Sequence, residues 1–484
     1  MTVPFALLTL ALAAAPDPVD LKRPAAGEWM GIYLLGHKAG YEFSQVKEEQ
    51  EGGRKVVVGV EDTTIRASQG GAVVTRRVRE VKTYAARPHG PLLSMEALHE
   101  GDGGDMAISI RFDSKGGHAT RTPANGTPEQ FELPPSRDTL DDIDLVRLSA
   151  ARHRKVEGYL FDSTTMKDKH DVVEDLGPDE LKSGGASAKA ERVSIVEDDG
   201  KIAAQSWVSL ADGRILQTRF GGALLAVPES EEVARKLGTV DLFALTRVAI
   251  DRRLPVGVVP ETITYRITGL PTSLRPESNR QTYHPLPDGS VEVTVRAEPA
   301  GAGGGTIPLT EPAEDLVSTP AIESDNAEIR KLAKQIVGNE RDPYRAATRL
   351  SQWVFEHLKK AYGVSSDRAT DVLRRREGDC TEHSLLLVSL ARAAGIPART
   401  VYGLVYVPGA DAKGALLWHE WAEIDAGRWI AIDPTFDQNV ADATHLQLGR
   451  GDQTDAVALM GQLQIHVESI DPPPRPTEET HAND

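Results

Sequence analysis

The chain has 484 residues, 40% hydrophobic and 26% charged, with 55 Lys and Arg against 72 Asp and Glu, for a formal net charge of −17. That length accommodates about two or three domains with sizeable cores. The acidity argues against nucleic acid or an anionic membrane surface as the main partner. A single cysteine excludes any intramolecular disulfide.

Residues 3–15 are apolar and end in an Ala-x-Ala site, and charge begins at Asp17. This predicts a signal peptide over 1–15 and export to the periplasm or beyond. The run is too short for a stable transmembrane helix. Residues 25–250 read as antiparallel strands at regular spacing. Trp29–Gly36 and Gly40–Val46 form a hairpin joined by His37-Lys38-Ala39. Lys55–Ala67, Ala72–Tyr84, Leu92–His99 and Met106–Phe112 follow. The spacing of Leu140, Ile143, Val146 and Leu148 predicts a helix over Asp138–His153, capped by Asp138. Strands resume at Arg192–Val196, Lys201–Ser209 and Arg214–Phe220, and a helix is expected at Glu229–Leu237. Residues 251–320 read as a small β connector, with strands at Glu261–Gly269 and Ser290–Ala297 and a flexible Pro299–Gly305. Residues 321–470 form the last predicted domain, opening on helices Asn326–Val337 and Tyr344–Lys360 and adding a strand at Gln464–Glu468. The Pro-rich, acidic 471–484 reads as a disordered tail.

The only cysteine lies in Arg376-Glu377-Gly378-Asp379-Cys380-Thr381-Glu382-His383. An apolar helix follows, with Asp379 as its N-cap and Gly395 as its C-terminal stop. Cys380 then sits at the helix start, where unpaired N–H groups and the helix dipole favour a thiolate, while Asp379 beside it pulls the other way unless capping absorbs its charge. Downstream, Ala415–Ile424 and Arg428–Thr435 read as a hairpin about Asp425-Ala426-Gly427. With that three-residue loop His419 faces Asp433, at about 5 Å between Cβ atoms, close enough to share a hydrogen bond. A nucleophilic thiol needs a base, and the base needs a group to orient it. Cys380, His419 and Asp433 supply that set.

GDCTEHSLLLVSLARAAGIPARTVYG, then WHEWAEI, then GRWIAIDPT, resembles the transglutaminase-like superfamily of papain-like fold, in its bacterial form. The resemblance covers roughly residues 325–445. It implies Cys380 as nucleophile, His419 as base and Asp433 as orienting acid. It also implies acyl transfer or hydrolysis on protein or peptide amides through a thioester, with no cofactor. No calcium-loop pattern is present. A zinc site built from Cys380, His383, His419 and Asp433 lacks paired ligand spacing, so no metal is expected. The fold expected is α+β: an N-terminal antiparallel β-rich domain, a small β connector and a C-terminal transglutaminase-like core. The alternative is a non-catalytic extracytoplasmic binding protein that uses its β domain and keeps the core as scaffold.

Overall fold

The computed structural model describes residues 21–471 apart from 88–89, 102–103, 125, 184–185, 198–201, 256–259, 302–303, 363–367, 411, 452–455 and 457–458. The predicted leader and the tail beyond Asp471 lie outside the described residues. Among the described residues no helix is long and apolar enough to cross a membrane.

The first half of the chain is one large sheet. Strands β1 (Glu28–Leu34), β2 (His37–Glu51), β3 (Arg54–Gln69), β4 (Ala72–Ala85), β5 (Leu92–Gly101), β6 (Met106–Phe112), β7 (Gly117–Pro123) and β8 (Glu129–Leu133) precede helix α1 (Asp142–Arg152). Then come β9 (Val156–Asp162), β10 (Lys167–Ser183), β11 (Ala186–Glu197), β12 (Ile202–Val208), β13 (Ile215–Phe220) and β14 (Leu224–Pro228). The order β8-β7-β6-β5-β4-β3-β2-β1-β14-β13-β12-β11-β10-β9 makes β1 and β14 the antiparallel seam. Leu35 and Gly36, at φ 48° and 82°, turn β1 into β2. Two such left-handed residues match the twist of paired strands, so the turn lies ahead of the predicted His37-Lys38-Ala39. Gly70 and Gly71 turn β3 into β4 in the same way.

The sheet curls around α1. Phe112 of β6 meets Phe161 of β9 edge to face at 5.2 Å, and Ser163 donates to Glu80 of β4. The helix begins at Asp142, later than predicted, because Asp141 is its cap. Asp138 is fully buried and accepts from Tyr84 Oη (3.3 Å) and the Phe161 N–H (2.9 Å), tying the two wings together. The helix predicted at Glu229–Leu237 is a single turn, α2 (Glu231–Ala234). Only its Ala234 is buried, so no apolar face extends it. Short elements β15 (Val240–Asp241), α3 (Leu242–Thr246) and β16 (Val248–Ala249) then lead away.

Strands β17 (Thr262–Thr268), β18 (Gln281–Pro285) and β19 (Val291–Arg296) form the connector sheet. Helices α4 (Ala327–Val337), α5 (Pro343–His357), α6 (Ala369–Arg375) and α7 (Cys380–Ala393) follow, with the two-residue strands β20 (Lys359–Lys360) and β21 (Glu377–Gly378) paired between them. A third sheet holds β22 (Ala398–Val407), β23 (Ala415–Asp425), β24 (Trp429–Ile432) and β25 (His445–Arg450), in the order β16-β23-β22-β25 with β24 on β23. Strand β26 (Gln464–Asp471) returns to pair with β17.

Two cores flank the third sheet. Leu350, Val354, Leu386 and Leu390 of the helices pack on Ile424 and Ile432. Tyr265, Val293 and Ile263 of the connector pack with Tyr402, Leu404 and Leu446. Near-total burial of these side chains, at about 25 cal/mol per Å² of apolar surface, fixes the sheet between two layers. Gly403 lies at its centre, where an added Cβ would stand 2.0 Å from the Leu446 carbonyl oxygen. The close approach of β22 and β25 requires a residue without a side chain there.

Candidate active site

Asp379 and Glu382 close the start of α7 reciprocally. Asp379 Oδ1 accepts from the Thr381 N–H (2.9 Å), and Glu382 Oε2 accepts from the Asp379 N–H (2.8 Å). Cys380 is the first helical residue, and among the described residues nothing accepts its N–H. Its Sγ receives the backbone N–H of Glu420, one residue from His419. Ser384, one turn on, donates to the Glu420 carbonyl (3.1 Å) and fastens helix to strand. The surroundings of Cys380 work against the expected thiolate. Burial above all, then the charges of Asp379, Glu420 and Asp433, push the Cys380 thiol well above its ordinary pKa, against the opposing Glu420 N–H. The helix start does not outweigh desolvation beside three acids.

His419 and Asp433 meet by a different register from the one predicted. Asp425 pairs with Trp429 and Ala422 with Ile432, so the loop is Ala426-Gly427-Arg428. Asp425 accepts the Gly427 N–H (2.8 Å) and so stays at the strand end. The pairing is displaced by two residues. A strand's side chains repeat every second residue, so both groups keep the same face and meet diagonally. His419 Nε2 lies 2.7 Å from Asp433 Oδ2. A carboxylate accepts only, so Nε2 carries the proton and Nδ1 is left as the basic nitrogen. Phe436 and Trp421 stack on the ring at 4.8 and 6.1 Å and hold its plane. Trp418, on the opposite face, instead donates to the Thr246 carbonyl (3.1 Å).

The sequence reading missed His445. Its Nε2 lies 3.0 Å from the same Asp433 oxygen and its Nδ1 3.2 Å from Asp442 Oδ1. With a carboxylate at each ring nitrogen, both nitrogens donate and the ring is an imidazolium. Burial opposes that charge, but Asp433 and Asp442 outweigh it and raise the pKa of His445. Asp433 therefore has four donors: two imidazoles and the N–H groups of Thr435 (2.7 Å) and Phe436 (3.1 Å). Burial works against its charge as well, yet the two histidines hold it far below the carboxylate range. Buried Arg280 braces this loop from the connector, donating to the carbonyls of Ala441 (2.5 Å), Asp442 and His445 (3.0 Å). The local signal was Asp442-x-x-His445, but only the placement of β25 beside β22 brings it to Asp433.

The β domain reaches the same site. Gln69, at the end of β3, donates to Asp379 Oδ2 (3.1 Å), and Gly70 lies against Tyr362. Tyr362 meets Phe243 edge to face at 5.2 Å. His383 is fully buried, with Nδ1 on the Asp379 carbonyl (2.6 Å) and Nε2 unpartnered. His419, Asp433 and His445 place ligand atoms within 4.8 Å of one another, the donor set of a metal site. Both Nε2 atoms point protons at one oxygen, however, so a cation would have to displace two N–H groups.

The Cys380 thiol thus lies against the strand that carries His419, whose ring is held by Asp433. Residues 330–434 match the transglutaminase-like superfamily, and this part of the chain is a transglutaminase-like core. An uncharacterized protein of Haemophilus influenzae is 31% identical over 96 residues, 19% of this chain and 26% of that one. Another, from Mycobacterium leprae, is 26% identical over 157 residues, 31% of this chain and 54% of that one. The chain thus spans about a quarter and about half of the relatives it matches. Among solved structures, a candidate cysteine protease from Cytophaga hutchinsonii aligns with TM-score 0.30 and 18% identity, covering 45% of this chain and 88% of its own. A β-barrel-like protein from Brucella abortus aligns with TM-score 0.29 and 8% identity, covering 42% and 96%.

Proposed function

We propose that the protein is a cysteine-dependent enzyme that transfers or hydrolyses acyl groups of protein or peptide amides through a thioester. The observation that carries this reading is the 2.7 Å His419–Asp433 hydrogen bond beside a thiol seated on the neighbouring Glu420 N–H. His419 Nδ1 acts as a general base during attack. Sγ bonds to the amide carbon as Nδ1 takes the thiol proton. The oxyanion is met by the Cys380 N–H. Collapse expels the amine, which leaves with the proton from His419, and forms the thioester. Water or a second amine then attacks, giving an acid or a new amide and returning the proton to sulfur.

The test is to offer casein or a glutamine-containing peptide together with a labelled amine, and to trap the thioester with hydroxylamine. Wild-type protein is expected to form a hydroxylamine-labile adduct that Cys380→Ala lacks, with turnover falling by ~10⁴ or more and the fold unchanged. Label in glutamine side chains marks transfer, and new peptide termini mark hydrolysis. Equal activity in the Cys380→Ala protein would refute the proposal.

A further inference from the structure

The curled β domain encloses a cavity of about 140 Å³ between the start of α1, strands β1–β3 and strands β11–β14. Its wall divides by chemistry. Met30, Ile195 and Ile215 belong to an apolar side, and Glu42, Glu61 and Ser44 to a polar one. Other lining acids are already engaged. Asp142 accepts the Ile143 N–H (2.8 Å), and Glu28 accepts from Arg147 and the Ile215 N–H (2.7 Å). Glu42 and Glu61 have no side-chain hydrogen-bond donor among the described residues. Ser44 is only 3% exposed, lines the same void, and its Oγ is likewise unpartnered. A side chain as buried as Ser44 normally has a partner, so its lack of one calls for an occupant, with the half-buried Glu42 and Glu61 beside it.

The occupant's chemistry follows from what surrounds it. The charged groups acting on Glu42 and Glu61 are Asp141 and Asp142 from α1, Glu28 from β1 and Lys82 from β4, so acids prevail. The acids do not converge as chelating ligands do. Among the described residues the sets of three or more ligand atoms within 4.8 Å of one another are His419–Asp433–His445 and His153–Asp175–Glu191. The volume suits a short alkyl chain with one polar end rather than a drug-sized ligand. We propose that the cavity binds a primary alkylammonium, free or at the end of a lysine side chain. Its N–H groups donate to Glu42, Glu61 and Ser44, and its alkyl stem lies against Met30, Ile195 and Ile215.

Binding is linked to protons. Burial first, then Asp142 and Glu28, lifts Glu42 to about 7. The Asp142 charge first, then burial, raises Glu61 above its ordinary range as well. An arriving ammonium ionises these carboxyls and releases their protons to solvent, so affinity weakens as pH falls below about 7.

The test is calorimetric titration of the full chain with n-butylamine, repeated in buffers of different ionisation enthalpy, with n-butanol and KCl as controls. Saturable binding with proton release is expected for the amine alone. Glu42→Gln with Glu61→Gln should weaken it at least tenfold. Ala226→Leu, which fills the same cavity from β14 while leaving every carboxyl in the sequence, should abolish it. N-acetyl-lysine methylamide distinguishes the sources: comparable binding points to a protein side chain, and failure to bind points to a free amine. No saturable amine binding, or binding unaltered in either variant while both melt as cooperatively as wild type, overturns the proposal.

Discussion

Asp433 of the third sheet is fully buried, and Glu42 of the β domain is half-buried on the wall of a cavity. The first is held far below the usual carboxylate range, and the second is lifted to about 7. Desolvation is the largest influence on each, and it acts in the same direction on both. What differs is the donors. Asp433 has two imidazoles and two backbone N–H groups, whereas Glu42 faces other acids across a void. Ionisation of such an acid is therefore decided by the neighbouring charges and hydrogen bonds its site supplies as well as by desolvation. The Asp433 carboxylate is saturated with donors, whereas that of Glu42 has no side-chain donor among the described residues.

Removing a centre from the saturated network should have the largest effect. Asp433→Ala leaves the His445 imidazolium buried without its main partner, and a loss of ~3–5 kcal/mol is expected in urea denaturation. A loss below ~1 kcal/mol would break the contrast. The wild-type contribution of Asp433 is present above about pH 3.9 and fades as pH falls toward its depressed folded value. His445→Asn should remove ~1–3 kcal/mol. The folded pKa of His445 is raised, so its contribution is full below about 6.5 and is lost as pH climbs through the folded value. Stability curves of wild type and variant should thus converge on the alkaline side.

The unsaturated site should respond with the opposite sign. Folded-state carboxyls raised above their unfolded values weaken the fold as pH rises past about 4.5, so Glu42→Gln with Glu61→Gln should stabilise the protein by ~1 kcal/mol at pH 8. The smallest effect is expected at the contact between the two regions. Gln69→Ala removes a donor from Asp379, whose charge already raises the Cys380 pKa. The midpoint of iodoacetamide alkylation against pH should move upward by a fraction of a unit, with little change in melting temperature.

Local signals made much of this legible in the sequence. Asp379, an apolar helix and Gly395 placed Cys380 at the start of α7, and a hairpin with Gly427 in its loop put His419 and Asp433 on one face. The two-residue register error left that face intact because the strand period is two. Parity is encoded locally, whereas register depends on which strand-end group captures the turn, here Asp425 and the Gly427 N–H. His445 and Arg280 were out of reach, because each matters only through pairings between distant segments. The rise in the thiol's pKa was legible only in part: Asp379 is its neighbour in sequence, but Glu420 and Asp433 reach Cys380 only through the fold.

The crossing of Arg280 and β26 between sheets bears on how this protein can be divided. Arg280 holds the carbonyls on which Asp442 and His445 sit, and β26 completes the connector sheet beside β17. A fragment begun at residue 321 would forfeit that clamp and leave β26 as an orphaned edge, open to misassembly. The smallest piece that retains the proton-handling loop intact therefore starts upstream of Thr262, and expression trials should include the connector with the core.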